Sequence, residues 1–294
     1  MKVLLTGGGG FIGRHVISRL VAEGVSIRAI DTNSMPGDFI DMLGQKASLV
    51  EWLQGDVSDE AFVSEAATGC SSICHIAGVL TPACQENPIR GAVINVLGTL
   101  YVFEAARRHG ISRVVYTSSA AVFGAGGESF PKPDTHYGAF KLANEGSARA
   151  YYNDHGLSSV GLRPFVVYGP GREVGLSAGI TLACKAAASG QSYTIPFTGT
   201  AGFVYVDEVV SAYLAALNEP FEGAQALDLN GEIVTVDVVL DTIRNLVPGA
   251  NVSATGPALP TIVPQAGPSQ ETRLVLPEPI SLVEGISKTI QFYR

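Results

Sequence analysis

Tyr137-Gly138-Ala139-Phe140-Lys141 sets a phenol and an ammonium one helical turn apart, on the same helix face. Upstream, the run Arg113–Thr117 reads as a buried strand that ends in Thr117-Ser118-Ser119, where a hydroxyl can point into the same crevice. A phenol, an ammonium and a hydroxyl gathered at one point can hold and move a proton on an alcohol or ketone oxygen. A free tyrosine ionises near pH ~10 and is a poor base at neutrality. A cation about 4 Å away, at an effective dielectric of about 20, favours the phenolate by roughly 4 kcal/mol, or about three pKa units. At about 6 Å the figure is roughly 3 kcal/mol, or about two units. The spacing therefore predicts a phenol tuned to pH ~7–8, suited to act as general acid and base.

The elements that would position this pair carry a second signal. Lys2-Val3-Leu4-Leu5 reads as a buried strand, and Ile12, Val16, Ile17 and Leu20 recur at helical spacing. Between them lies Thr6-Gly7-Gly8-Gly9-Gly10-Phe11-Ile12-Gly13. Gly8, Gly10 and Gly13 satisfy G-x-G-x-x-G, and Gly7, Gly10 and Gly13 a variant with two residues between glycines. A glycine turn from strand into helix lets backbone N–H groups, those of Phe11 and Ile12 among them, approach a pyrophosphate at a helix N-terminus. Residues 25–30 read as the next strand, and Asp31 stands at its end. Its carboxylate can accept from both hydroxyls of an adenosine ribose and would repel a 2′-phosphate, while Thr32, Asn33 and Ser34 supply no cation. The pattern predicts NAD rather than NADP. With NAD taking a hydride, the Tyr–Lys–Ser group would move the accompanying proton.

Further strands are expected at residues 48–52, 72–76 and 159–163, and helices at 58–67, 90–108 and 137–155. Such alternation implies an α/β fold, a Rossmann-type doubly wound parallel sheet. It predicts a nucleotide-binding domain over residues 1–169. From Pro170 the pattern loosens, and residues 170–294 are expected to form a small substrate lobe from helices at 175–189, 235–246 and 280–293. Residues 204–206 and 226–229 are expected to return to the main sheet as strands.

The 294 residues are 46% hydrophobic and 16% charged, enough to bury a large core, and the net charge of −8 disfavours nucleic acid and anionic membranes as partners. No run is expected to span a membrane, and the early first strand leaves no room for a signal peptide. Cys70, Cys74, Cys84 and Cys184 lack metal or redox spacing and read as free thiols, and the five histidines form no ligand pair. The expected compartment is the cytoplasm, with no metal.

Taken in order, these motifs resemble the extended short-chain dehydrogenases/reductases of the NAD-dependent epimerase/dehydratase family, over nearly the whole chain. Gly7, Gly10, Gly13 and Asp31 match its cofactor fingerprint. Gly55-Asp56-Val57 is similar to the adenine-binding turn, which implies that Asp56 bonds the exocyclic amine and the Val57 N–H a ring nitrogen. His75-Ile76-Ala77-Gly78 resembles the strand-four end, where Ala77 and Gly78 let the backbone pass the cofactor. His75 itself reads as a packed strand histidine. Asn95-Val96-Leu97-Gly98-Thr99 resembles the helix motif that sets Asn95 near the cofactor. Tyr116 to Gly124 aligns with the catalytic-serine strand, making Ser119 the catalytic hydroxyl and placing Thr117 by the cofactor. Tyr137 and Lys141 take the acid/base and ribose-binding roles, and Leu162-Arg163-Pro164-Phe165 resembles the segment whose Pro164 covers the nicotinamide.

The chain departs from the sugar-nucleotide members where they hold a diphosphate. Val166 stands in place of their Asn, and Thr200-Ala201-Gly202 carries no cation, with Gly202 in place of their Arg. Arg172 is left either to orient a carboxylate or small phosphate of the substrate or to pair with Glu173. The expected function is NAD-dependent hydride transfer at a secondary alcohol or ketone of a small sugar-like or polyhydroxy substrate. The alternative is a UDP-sugar 4-epimerase; a non-catalytic NAD-binding redox sensor is opposed by the intact Ser119, Tyr137 and Lys141. Small and apolar residues on a second face of helices 91–108 and 137–152 predict a homodimer through those helices.

Overall fold

Val3 and Leu5 point to one side of the first strand and Leu4 to the other, and all three are fully buried. Such a strand must lie inside a sheet covered on both faces. The structure, a computed structural model, describes residues 2–124, 130–259, 274, 276 and 278–294. The chain begins β1 (Lys2–Thr6), α1 (Phe11–Ala22), β2 (Ser26–Asp31), α2 (Gly37–Leu43), β3 (Val50–Gln54), α3 (Glu60–Ala67) and β4 (Ser72–His75). It continues α4 (Thr81–Glu86), α5 (Pro88–Ala92), a π turn (Val93–Leu97), α6 (Gly98–Arg108), β5 (Arg113–Thr117), α7 (His136–His155), β6 (Ser158–Pro164) and β7 (Val166–Tyr168). The remainder is α8 (Gly179–Ala188), β8 (Tyr193–Ile195), β9 (Thr200–Tyr205), α9 (Val206–Asn218), β10 (Ala224–Leu229), β11 (Glu232–Thr235), α10 (Val236–Leu246), β12 (Val252–Ala254) and α11 (Leu282–Phe292).

Seven parallel strands form the main sheet in the order β10-β6-β5-β4-β1-β2-β3. Chain order reverses between β1 and β4, which opens a crevice at the carboxyl ends of the strands. Thr6 pairs with both Ile30 and His75 there, so the ends of β1, β2 and β4 meet at one point. Helices α1 and α9 cover one face, and α3, α6 and α7 the other. Thr135 caps α7 by accepting from the Gly138 N–H at 3.0 Å, which places Tyr137 in the first turn, at the crevice.

The return of residues 204–206 to the main sheet is not found. Strand β9 pairs with β7 and β11 in a separate three-stranded sheet, and Val206 opens α9. The place beside β6 is taken by β10, which is the strand expected at 226–229 begun two residues earlier. Helices α8, α10 and α11 pack with the β8–β12 pair into a lobe beside this small sheet. The rod Pro88–Arg108 is long and apolar enough to cross a bilayer by length and composition, contrary to the expected lack of such a run. Here its α6 part lies on β4 and β5 between α3 and α7, and 44% of its most apolar window is buried.

Candidate active site

The glycine turn is shaped by close approach. A Cβ on Gly13 would lie 2.1 Å from the Gly7 carbonyl oxygen, and one on Gly7, at φ +79°, 2.8 Å from the Ala77 nitrogen. Helix α1 is thereby seated directly on the turn and on the end of β4. Its N-cap is Gly10, which offers no side chain. Among the described residues the N–H groups of Phe11, Ile12 and Gly13 find no acceptor in the protein. Three orphan donors at a helix N-terminus fit a diphosphate. Asp31 faces the same turn, accepting from the Gly9 N–H at 2.9 Å and the Asn33 N–H at 3.1 Å.

The adenine-side residues are engaged with the protein. Asp56 accepts from the Ser58 N–H at 2.9 Å and pairs with Arg90 at 2.7 Å. Burial raises its carboxyl, but the Ser58 and Arg90 donors outweigh this and leave it below the usual carboxylate range. Val57 is buried, with its side chain and carbonyl packed against Gly98. His75 is enclosed between Thr6 (2.7 Å) and Thr99 (3.0 Å), and burial pushes its imidazole down to about 3. It is a neutral packing residue. Asn95 is fully buried, takes the Val79 N–H at 3.1 Å and gives its amide to the Val79 carbonyl at 3.0 Å. Its side chain braces the loop after Gly78, where a Cβ would lie 2.6 Å from the Asn95 oxygen and 3.6 Å from Lys141 Nζ.

The acid/base group sits at the end of β5. Lys141, 3% exposed, donates to the Thr117 carbonyl at 2.7 Å and lies 5.7 Å from the centroid of the Tyr137 ring. Ser119 is extended, accepts from the Ala121 N–H at 3.1 Å and hydrogen-bonds the Tyr137 phenol. Pro164 is buried at the end of β6. The protein's own groups do not by themselves tune the phenol to pH ~7–8. Burial pushes Tyr137 up to about 12, against the Ser119 hydrogen bond and the positive charge of Arg172, and pulls Lys141 down to about 8. Desolvation, left out of a pairwise Coulomb estimate, penalises both charged forms.

A buried network behind this group was missed from sequence. Glu145, 2% exposed, accepts from Ser118 Oγ at 2.5 Å and makes a two-pronged pair with Arg163, at 2.7 and 2.6 Å. Arg163 also reaches Asp228 at 3.3 Å. The network ties together a neighbour of Ser119 just after β5 (Ser118), of Lys141 on α7 (Glu145) and of Pro164 on β6 (Arg163). The available signal was the spacing of Tyr137, Lys141, Asn144 and Glu145, a polar stripe at i, i+4, i+7 and i+8 where a helix facing a sheet should be apolar.

On the opposite wall, Arg172 does not pair with Glu173, which instead bonds Lys185 (2.7 Å) and the Tyr293 hydroxyl (2.9 Å). Gly202 is a closed position: a Cβ there would lie 2.2 Å from the Asn230 carbonyl oxygen. Among the described residues no group of three or more His, Cys, Asp or Glu side chains could hold a metal ion.

A doubly wound sheet, an orphan-donor turn facing Asp31 and a Ser–Tyr–Lys group at the switch point define an NAD-binding α/β enzyme. Residues 3–231 match the NAD dependent epimerase/dehydratase family, and the chain belongs to it. The UDP-glucose 4-epimerase of Mycolicibacterium smegmatis is 29% identical over 316 aligned positions, which span 100% of this chain and 99% of that protein. The 2-alkyl-3-oxoalkanoate reductase of Stenotrophomonas maltophilia is 34% identical over 185 positions, 58% of this chain and 52% of that protein. The structure of Thermus thermophilus UDP-glucose 4-epimerase in complex with NAD superposes with a TM-score of 0.83 at 25% identity, covering 100% of this chain and 99% of that one. The protein is an NAD-dependent oxidoreductase of the extended short-chain type.

Proposed function

We propose that the substrate is a small sugar-like or polyhydroxy alcohol, or the matching ketone, which leaves after a single hydride transfer. NAD, when bound, supplies the hydride acceptor. In oxidation Tyr137 takes the hydroxyl proton, Ser119 holds the reacting oxygen, and Lys141, anchored on the Thr117 carbonyl, provides the adjacent charge. The closed Gly202 position carries this reading, because the diphosphate of a sugar nucleotide has no cation to meet along Thr200-Ala201-Gly202. A panel of free sugars, sugar acids and UDP-sugars incubated with NAD⁺ tests it. Accumulating NADH with a free sugar or sugar acid is the expected result. Interconversion of UDP-sugar isomers without net NADH would establish the second reading, a UDP-sugar 4-epimerase, which the end-to-end match to the M. smegmatis enzyme favours.

Two further features support a cytoplasmic homodimer paired through Pro88–Arg108 and α7. The four cysteines are free and buried. Ile89 and Leu97, 80% and 40% exposed, and the exposed Ala139 and Ala143 leave an apolar face open on these helices. A dimer mass by light scattering at micromolar concentration is the expected outcome, and a monomer would refute it.

A further inference from the structure

Residues 169–175 form a strap across the mouth of the crevice. Gly169, Gly171 and Gly175 take φ of +141°, +85° and +100°, which lets seven residues turn repeatedly. The strap is pinned near α1 by the His15 ring on the Pro170 carbonyl (2.8 Å), and by the Gly171 N–H donating to the Tyr293 hydroxyl (2.9 Å). At its far end a Cβ on Gly175 would lie 3.4 Å from Arg172 Nη2 and 3.8 Å from Leu80 Cδ1. The strap thus reaches from the N-terminus of α1 to the loop after β4, the two walls between which the cofactor must lie.

Arg172 projects from the middle of this strap. Its guanidinium carbon lies 5.6 Å over the Phe11 ring, above the helix end whose first N–H groups have no acceptor. Nη2 donates to Ser177 Oγ at 3.2 Å, while Nε is buried and has no partner among the described residues. Among the described residues no carboxylate pairs with it; Glu173, its neighbour, is held by Lys185 and Tyr293. Unpaired donors on two separate segments that border one space call for an anion between them.

We propose that Arg172 is a cofactor residue, which closes on the diphosphate of NAD from the side opposite the glycine turn. The inference rests on the NAD assignment and moves Arg172 from the substrate to the cofactor. Its charge also favours the Tyr137 phenolate, so closing the strap would strengthen the acid/base group at the same time.

The test needs no substrate. NADH, ADP-ribose and adenosine are titrated, the last two by displacement of bound NADH, against the wild-type enzyme, Arg172→Met and Arg172→Lys. Charge-assisted hydrogen bonds of this kind correspond to a roughly 10- to 100-fold loss of affinity. The expected result is a loss of that size for NADH and ADP-ribose in Arg172→Met, a partial loss in Arg172→Lys, and adenosine affinity within twofold of wild type. Unchanged ADP-ribose affinity would overturn the proposal, including the case in which only a substrate KM rises. A parallel loss of adenosine affinity would overturn it too, since the effect would then be general. Wild-type protein that fails to bind NADH would instead sink the NAD assignment itself.

Discussion

The two walls of the crevice are built on opposite terms. On the wall made by β1, β4, β5, β6 and α7, the buried polar groups nearest the crevice are linked in chains: Thr6 to His75 to Thr99, Asn95 to Val79, and Ser118 to Glu145 to Arg163 to Asp228. Among the described residues of these elements only Ser72 Oγ, Asn144 Oδ1 and Ser159 Oγ are buried without a partner. On the wall made by β7, β9 and the strap, a glycine is closed by a backbone oxygen and a guanidinium nitrogen has no partner among the described residues. The first wall carries chemistry that tolerates little displacement. The second is fitted to a ligand, and ligands differ between relatives of one fold.

The contrast can be broken most forcefully at Tyr137. Tyr137→Phe removes one oxygen from the ordered wall and should lower kcat about 10²- to 10⁴-fold with NADH affinity nearly unchanged. Near wild-type turnover would remove the acid/base role. Next comes the network behind it. Glu145→Gln removes the carboxylate charge and turns one of the two oxygens facing Arg163 into an NH2 donor, leaving Asp228 at 3.3 Å as the nearest anion to the guanidinium among the described residues. It should destabilise the fold by roughly 3 kcal/mol or more in urea unfolding. A change below about 1 kcal/mol would mean that the network is not what holds this wall rigid.

Lys141 gives a prediction of the opposite sign. Its ammonium titrates at about 8 in the folded chain against 10.5 for the free side chain. Between those values the unfolded chain binds more protons, so stability rises with pH across that window. Below about pH 8 the penalty is constant, roughly 3 kcal/mol. Lys141→Met abolishes this rise and should stabilise the cofactor-free protein at pH 7 by about 2 kcal/mol, allowing about 1 kcal/mol for the donor lost by Thr117. Thermal melts of both proteins from pH 7 to 10 check it; a lower melting temperature for the variant at pH 7 would contradict it. The last effect belongs to the second wall. UDP-glucose should bind at least about a hundredfold more weakly than an enzyme with the diphosphate clamp would hold it, as two hydrogen bonds to a charged group, about 1.5–3 kcal/mol each, are missing. Low-micromolar binding by calorimetry with NAD⁺ present would show that some other cation serves.

Legibility from sequence divides along the same line. The parallel sheet, the glycine turn, Asp31 and the Tyr137–Lys141 pair are local patterns, set by period, spacing and turn chemistry. The place of β9 was not legible, because residues 204–206 and 226–229 both read as strands and only packing decides that β10 takes the edge beside β6 while β9 joins β7 and β11. Glu145 and Arg163 lie 18 residues apart on different elements and meet only after β6 and α7 dock. Desolvation of Tyr137 is not legible for a related reason: a charge partner can be read from spacing, but the water excluded by the fold cannot.

Gly202 has a consequence for how such an enzyme changes over time. The turn at Asn230-Gly231 lies flat against β9, and a Cβ on either Gly202 or Gly231 would meet a backbone oxygen at 2.2 or 2.1 Å. An arginine at position 202 therefore cannot be gained in one step. The neighbouring turn would first have to lift, and each intermediate sequence would bear the strain without yet gaining a ligand. Tight packing of this kind acts as a ratchet on specificity: where backbone fills the space, no single substitution can place a side chain there, whichever side chain a new ligand would require.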